Sequence, residues 1–234
     1  MDTYTRTARL QPALLVALPL GLATLAWFPS QLPGWGVIWG LVVWCGGTVL
    51  LAQLGREVGR HKEPMLFELW GGKPTTRMLR HRGGTNKTTL ARWHRKLQEL
   101  MRGMKMPSLE DEAADPDQAD AVYESCSLFL REQTRDRTKF PLVFEENCNY
   151  GFRRNVWGLR PFGIATTLLG MFAVGALVVV NTRVRRVDTQ PIVYLAGGVN
   201  AMLLVAWCVL VSPDWVKKSA EAYSEGLLSS CDNL

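Results

Sequence analysis

The residues whose types and spacing could do chemistry fall in two stretches. The first is Leu69-Trp70-Gly71-Gly72-Lys73-Pro74-Thr75-Thr76-Arg77, followed by Arg80, His81 and Arg82. Glycines let a backbone approach a ligand closely, while hydroxyls and amides at a helix start suit an anion. Lys73, Thr75, Thr76, Arg77, Arg80 and Arg82 are therefore the candidate anion- or partner-binding residues. The spacing is not that of a phosphate-binding GxxxxGK[ST] loop. A helix-capping turn with basic residues facing phospholipid headgroups is the competing reading. The second stretch, Glu145 to Gly158, joins acids, amides, arginines and aromatics. Glu145, Glu146, Tyr150, Arg153, Arg154 and Trp157 read as an interfacial or gating segment, since aromatic and basic residues gather where a span meets water. Adjacent carboxylates on a helix point about 100° apart. No His or metal cluster joins them, so no residue is assigned a catalytic role, and no cofactor or metal is expected.

The elements that must position these stretches are mostly membrane spans. Residues 10–55, 161–182 and 189–213 contain no Asp, Glu, Lys or Arg. A spanning helix needs about 20 apolar residues, so the first run holds two spans, Ala13–Phe28 and Trp35–Leu54. Pro29, Ser30, Gln31, Pro33 and Gly34 form the turn between them. Phe162–Val180 and Ile192–Val211 supply two more. The long first run and its bulky end, Trp27-Phe28, favour a span over a cleaved signal peptide. Basic residues beside the spans place both termini in the cytoplasm. Arg183, Arg185 and Arg186 dissent from that orientation, and fit a site for anionic headgroups or a lumenal mouth. The five cysteines have no metal-knuckle spacing.

The insert between the second and third spans carries segregated charge. Arg56 to Lys105 holds 13 basic and 4 acidic residues, and Glu110 to Glu124 holds 7 acidic residues and no base. Such blocks are a solvated face, a mutual contact or a binding surface. A helix capped by Thr88 or Thr89 and ending at Met104 would carry Leu90, Trp93, Leu97, Leu100, Met101 and Met104 on one face. Asp115-Pro116 caps a second, with Ala119, Val122, Tyr123, Cys126, Phe129 and Leu130 as its stripe. The pair is expected to pack antiparallel, with Lys139–Phe144 as an extended link. After Ser212-Pro213-Asp214 an amphipathic tail lies on the membrane or packs on the insert. The resulting fold is an all-α integral membrane protein with four transmembrane helices, a helical cytoplasmic insert and an amphipathic C-terminal helix. Its boundaries are 1–55, 56–160, 161–212 and 213–234.

Small residues on the spans, Gly36 with Gly40 and Gly197 with Ala201, are helix-packing surfaces, and Asn200 is the strongly polar residue among them. The Leu69–Arg82 and Asn149–Gly158 stretches, flanked by two pairs of spans, resemble four-pass membrane proteins of bacterial mobile elements and antiviral defence loci. That resemblance implies a non-enzymatic effector of the bacterial inner membrane, a homo-oligomer that perturbs the bilayer when triggered. A soluble defence partner or an anionic small molecule would be the trigger; direct nucleic-acid binding is not expected. The alternatives are a membrane-anchored sensor or scaffold that recruits a soluble partner, and a lipid-active enzyme.

Overall fold

The structure is a computed structural model that describes residues 3–28 and 35–234, without the side chains of residues 35–45. The turn expected at Pro29, Ser30, Gln31, Pro33 and Gly34 lies outside the described residues, as do the surroundings of Gly36 and Gly40. No strand occurs among the described residues. The α-helices are α1 (Gln11–Trp27), α2 (Trp35–Trp70), α3 (Pro74–Leu79), α4 (Lys87–Leu100), α5 (Leu109–Ala114), α6 (Pro116–Gln133), α7 (Pro141–Val179), α8 (Pro191–Val205) and α9 (Pro213–Ser229). Among the described residues, the helical segments Thr5–Trp27, Pro141–Arg185 and Pro191–Leu210 are long and apolar enough to cross a membrane. The protein is thus an all-helical membrane protein.

Local chemistry moves several boundaries. A π-helical turn, Thr5–Leu10, leads directly into α1, so the first apolar helix starts well before Ala13. Asn86 caps α4, its side chain accepting from the Thr88 and Thr89 amides at 2.9 and 3.3 Å. The expected cap at Thr88 or Thr89 is therefore two or three residues late, because an amide acceptor outcompetes a threonine hydroxyl at that site. The helix stops at Leu100 rather than Met104, before Gly103 at φ 89°. Asp115 caps α6 with Pro116 at its first position, as the sequence suggests. Lys139–Phe144 is not an extended link. Asp136 gathers the Thr138 amide and hydroxyl into a tight turn, and Pro141 opens α7, where its missing N–H costs nothing.

The chain divides into two compact units, Met1–Lys62 with Gly151–Trp215, and Glu63–Tyr150 with Val216–Leu234. In the first, Ala23 and Ala26 of α1, Val174 and Leu177 of α7, and Val193 and Ala196 of α8 form a core of small and branched side chains. The Trp27 indole N–H donates to the Ala173 carbonyl at 2.9 Å. Asn155 is fully enclosed and donates to the Ala8 carbonyl at 2.6 Å. A Cβ on Gly158 would stand 2.9 Å from the Gly59 backbone, so α2 and α7 touch main chain to main chain there. By contrast Phe172, Leu195, Met202 and Val209 point outward, each more than half exposed, the pattern of a surface solvated by lipid.

In the second unit, Leu79, Trp93, Leu97, Tyr123, Cys126, Leu130, Leu227, Leu228 and Cys231 share one core. Of the two stripes foreseen on α4 and α6, Trp93, Leu97, Ala119, Tyr123, Cys126 and Leu130 are buried in it, and Leu100, Met101, Met104, Val122 and Phe129 pack half-buried against it, yet α3 packs on both helices. The simple antiparallel pair is thereby corrected: a six-residue helix wedged beside them supplies Leu79. The amphipathic tail also resolves. Leu227 and Leu228 of α9 and Cys231 beyond it belong to this core, so the tail packs on the insert.

Candidate functional site

The basic stretch begins where α2 ends. The Gly72 amide bonds the Phe67 carbonyl and the Gly71 amide the Glu68 carbonyl, the paired bonds of a Schellman cap. Both glycines have positive φ, 76° and 122°, which side-chain-bearing residues resist. This turn reverses the chain into α3 and aims the stretch at the acidic block. Arg80 makes a bidentate pair with Asp120 and donates to the Gly71 carbonyl at 2.8 Å. Lys73 meets Glu124 at 2.6 Å, Arg77 meets Glu221 at 3.5 Å, and Arg82 lies 3.7 Å from Glu112. Of the three readings of the charge blocks, the mutual contact is the one the geometry contains. Thr75 and Thr76 lie in the first turn of α3, and the Thr76 hydroxyl is enclosed without a hydrogen-bond partner among the described residues.

Glu112 forms a second polar centre that the sequence did not single out. Its buried carboxylate accepts from the His81 amide at 2.8 Å and the Tyr123 hydroxyl at 2.9 Å. The His81 and His94 rings meet edge to face at 5.1 Å. His94 Nε2–H donates to the Leu79 carbonyl at 2.8 Å, which fixes its neutral tautomer. Burial, then the neighbouring His81, holds the His94 pKa below the ordinary imidazole value, against the opposing pull of the Leu79 carbonyl. Burial and the Glu112 hydrogen bond push Tyr123 upward. These groups are mutually satisfied and enclosed, the pattern of a structural polar core.

A cleft of about 280 Å³ in the same unit gathers residues from both candidate stretches. Lys73, Thr75 and Thr76 line it with Glu63 and Phe67 of α2, Glu124 and Arg131 of α6, Tyr150 of α7, and Tyr223 of α9. Tyr150 donates its hydroxyl proton to Glu63. The Tyr150 and Tyr223 rings are parallel within 4°, with centroids 6.3 Å apart. Ser127 and Ser224 also face it, each hydroxyl donating to a carbonyl in its own helix. Glu63, Arg131 and Tyr223 belong to this site although the sequence reading passed them over.

The remaining candidates scatter. Arg153 donates to the Trp215 carbonyl at 2.9 Å and lies 5.0 Å from that indole's centroid. Trp157 is buried, with the Lys62 ammonium 5.6 Å from its ring. Glu145 is exposed and Glu146 half-buried one position on; Arg154 reaches the Asn155 side chain at 3.5 Å. On α8, Asn200 is fully enclosed and both of its amide atoms lack a partner among the described residues, while Ala201 faces outward. A Cβ on Gly170 of α7 would lie 3.1 Å from Asn200 Nδ2, and one on Gly197 would touch Val174. Both positions therefore pack within one chain. Arg185 reaches Asn181, and Arg186 ends its π-helical turn in the left-handed region. No group of three His, Cys, Asp or Glu suited to a metal exists among the described residues. No protein-family model matches the chain, and neither a curated protein nor a solved structure does.

Proposed function

We propose that this is a non-enzymatic, membrane-anchored binding protein, the sensor or scaffold of the readings above. Four spans, the described three and the apolar start of α2, hold a cytoplasmic helical module at the bacterial inner membrane, with both termini inside. The observation that carries this reading is the cleft. It draws residues from five helices and is lined by Thr76, whose hydroxyl has no partner among the described residues. Leu128 stands on its rim, half exposed, so Leu128→Trp occludes it without entering the core. Native mass spectrometry of the full chain in detergent tests the idea. A small molecule carried by the wild-type chain and lost from Leu128→Trp is the expected result. A wild-type chain that carries nothing, and that a cytosolic metabolite extract does not stabilise against heat, refutes it. Reporter fusions at residue 110 and after Leu234 should report cytoplasm; an externally accessible tag at residue 110 sinks the topology.

The effector reading, in which several copies perturb the membrane during antiviral defence, is favoured by one further observation. Asn200 keeps two unsatisfied amide atoms in an apolar interior, a costly arrangement that a second packing state would relieve. Dye uptake during phage infection, with cross-linking in native membranes, measures it. A chain that stays monomeric while the membrane potential collapses would defeat it.

A further inference from the structure

We infer that Cys126, Met104 and Met106 form a site for one soft monovalent metal ion, Cu(I) or Ag(I), within the second unit. The site is separate from the cleft described above and shares no lining residue with it. Cys126 Sγ lies 3.8 Å from Met104 Sδ and 3.7 Å from Met106 Sδ. The single thiol proton can serve only one of these sulfurs at a time. Three sulfurs bound to one metal at about 2.3 Å sit about 3.8–4.0 Å apart, in a tetrahedral or trigonal array. The two separations are therefore those of a donor set already gathered. Local chemistry does the gathering. Gly103, at φ 89°, belongs to the turn in which the Met104 amide bonds the Met101 carbonyl at 3.0 Å. Residues 104–107 lie outside any helix. In such a segment side chains two apart can share a side, and Met104 and Met106 both reach Cys126 on the buried stripe of α6. Packing alone would accept leucine at either methionine.

Donor type and charge select the ion. Thiolate and thioether ligands favour Cu(I) over harder ions. One thiolate and two neutral thioethers carry a single negative charge, so a monovalent ion makes a neutral cluster. Zn(II) would add a positive charge to a largely apolar core. Cys126 and Met106 are both buried there, beside Leu97, Ala119 and Leu130. Burial pushes the Cys126 thiol up to about 11, so at neutral pH the ion must displace its proton. The S–H bond breaks, a sulfur–metal bond forms, the proton passes to solvent, and no electron is transferred. A route inward exists. Met104 is half-buried, and a cleft of about 420 Å³ reaches Met106, lined also by Asp111 and Asp115, whose carboxylates attract a cation, and by Lys105. Cysteine spacing conceals the site, because methionines supply two of its three donors.

The test titrates the full chain in detergent, reduced and free of oxygen, with Cu(I) delivered as its acetonitrile complex, with Ag(I) and with Zn(II). Native mass spectrometry should show an Ag(I) ion bound with the loss of one proton. Cu(I) affinity should rise about tenfold per pH unit between about pH 6 and 8, because the thiol is protonated throughout that range. Zn(II) should bind about a hundredfold more weakly than Cu(I), or less. The double variant Met104→Leu, Met106→Leu keeps the core volume and every cysteine. It should weaken Cu(I) about tenfold or more through the lost thioethers, with little change in melting of the metal-free chain. Cys126→Ala should remove the same binding; the double leucine variant carries the test if the alanine variant does not fold. Cu(I) affinity unchanged in the double leucine variant overturns the inference and assigns the ion to other thiols. Zn(II) binding as tight as Cu(I), or a wild-type chain that takes up neither Cu(I) nor Ag(I), overturns it as well.

Discussion

At the scale of single residues, charge in the basic stretch is spent on geometry within the chain. Arg80 uses both edges of its guanidinium, two contacts to Asp120 and one to the Gly71 carbonyl at the reversing turn. Lysine offers a point charge and cannot span those acceptors. Arg80→Lys should therefore behave nearly as badly as Arg80→Ala, each costing about 1–3 kcal/mol given a pair only partly screened by water. Denaturation of the purified chain reads this; a lysine variant as stable as wild type would show that charge alone suffices. His94 sets a pH response with a definite sign. Its folded pKa lies below the ordinary 6.5, first through burial, with His81, Tyr123 and Glu112 facing it. Below pH 6.5 the unfolded chain takes up a proton that the folded one refuses, so this contribution to stability is present above 6.5 and lost progressively beneath it. Melting temperature should fall between pH 7 and 5.5, and less steeply in His94→Gln. Equal slopes in the two proteins would assign the acid sensitivity to other groups.

At the scale of elements, helix starts were legible where a short capping side chain is followed by proline, and missed at α4, where Asn86 is the cap. Asp115-Pro116 and Pro213 stand where the sequence puts them, because capping is decided within four residues. Interhelical contacts were not legible, since small residues occur on many faces of an apolar helix. Gly36, Gly40 and Gly197 were the visible spacing, yet tight approaches between helices occur at Gly158 against the Gly59 backbone and at Gly163 against the Trp207 ring. A Cβ at Gly163 would lie 2.2 Å from that ring, whereas one at Gly175 or Gly198 meets nothing within 4 Å. Gly158→Leu and Gly163→Leu should thus abolish a monodisperse fold in detergent, while Gly175→Leu and Gly198→Leu leave it intact. Fluorescence-detected size exclusion measures the difference. Equal behaviour of all four would mean the helices do not approach so closely.

At the scale of the whole molecule, composition announces the membrane, because lipid forbids charge over some twenty residues at a time. The cleft was half legible. Lys73, Thr75, Thr76 and Tyr150 stood out through local chemistry, but Glu63, Arg131 and Tyr223 join them only when helices far apart in sequence converge. Asn200 offers the sharpest test of what the membrane unit does. It reads in the sequence as the strongly polar residue of a helix-packing surface, and in the single chain it is fully enclosed beside Gly170 with no hydrogen-bond partner among the described residues. Each unsatisfied amide group carries a desolvation cost of about 1–3 kcal/mol. Asn200→Ala removes both groups without crowding Gly170, so the resting chain should melt no lower than wild type. If the polar atoms serve a second, associated state, the same substitution should reduce cross-linked oligomer and dye uptake after infection, because that state alone gives them partners. Stability and activity would then move apart. Should Asn200→Ala lower the melting temperature and the activity together, the side chain is merely part of the resting bundle, and its link to an effector state is lost.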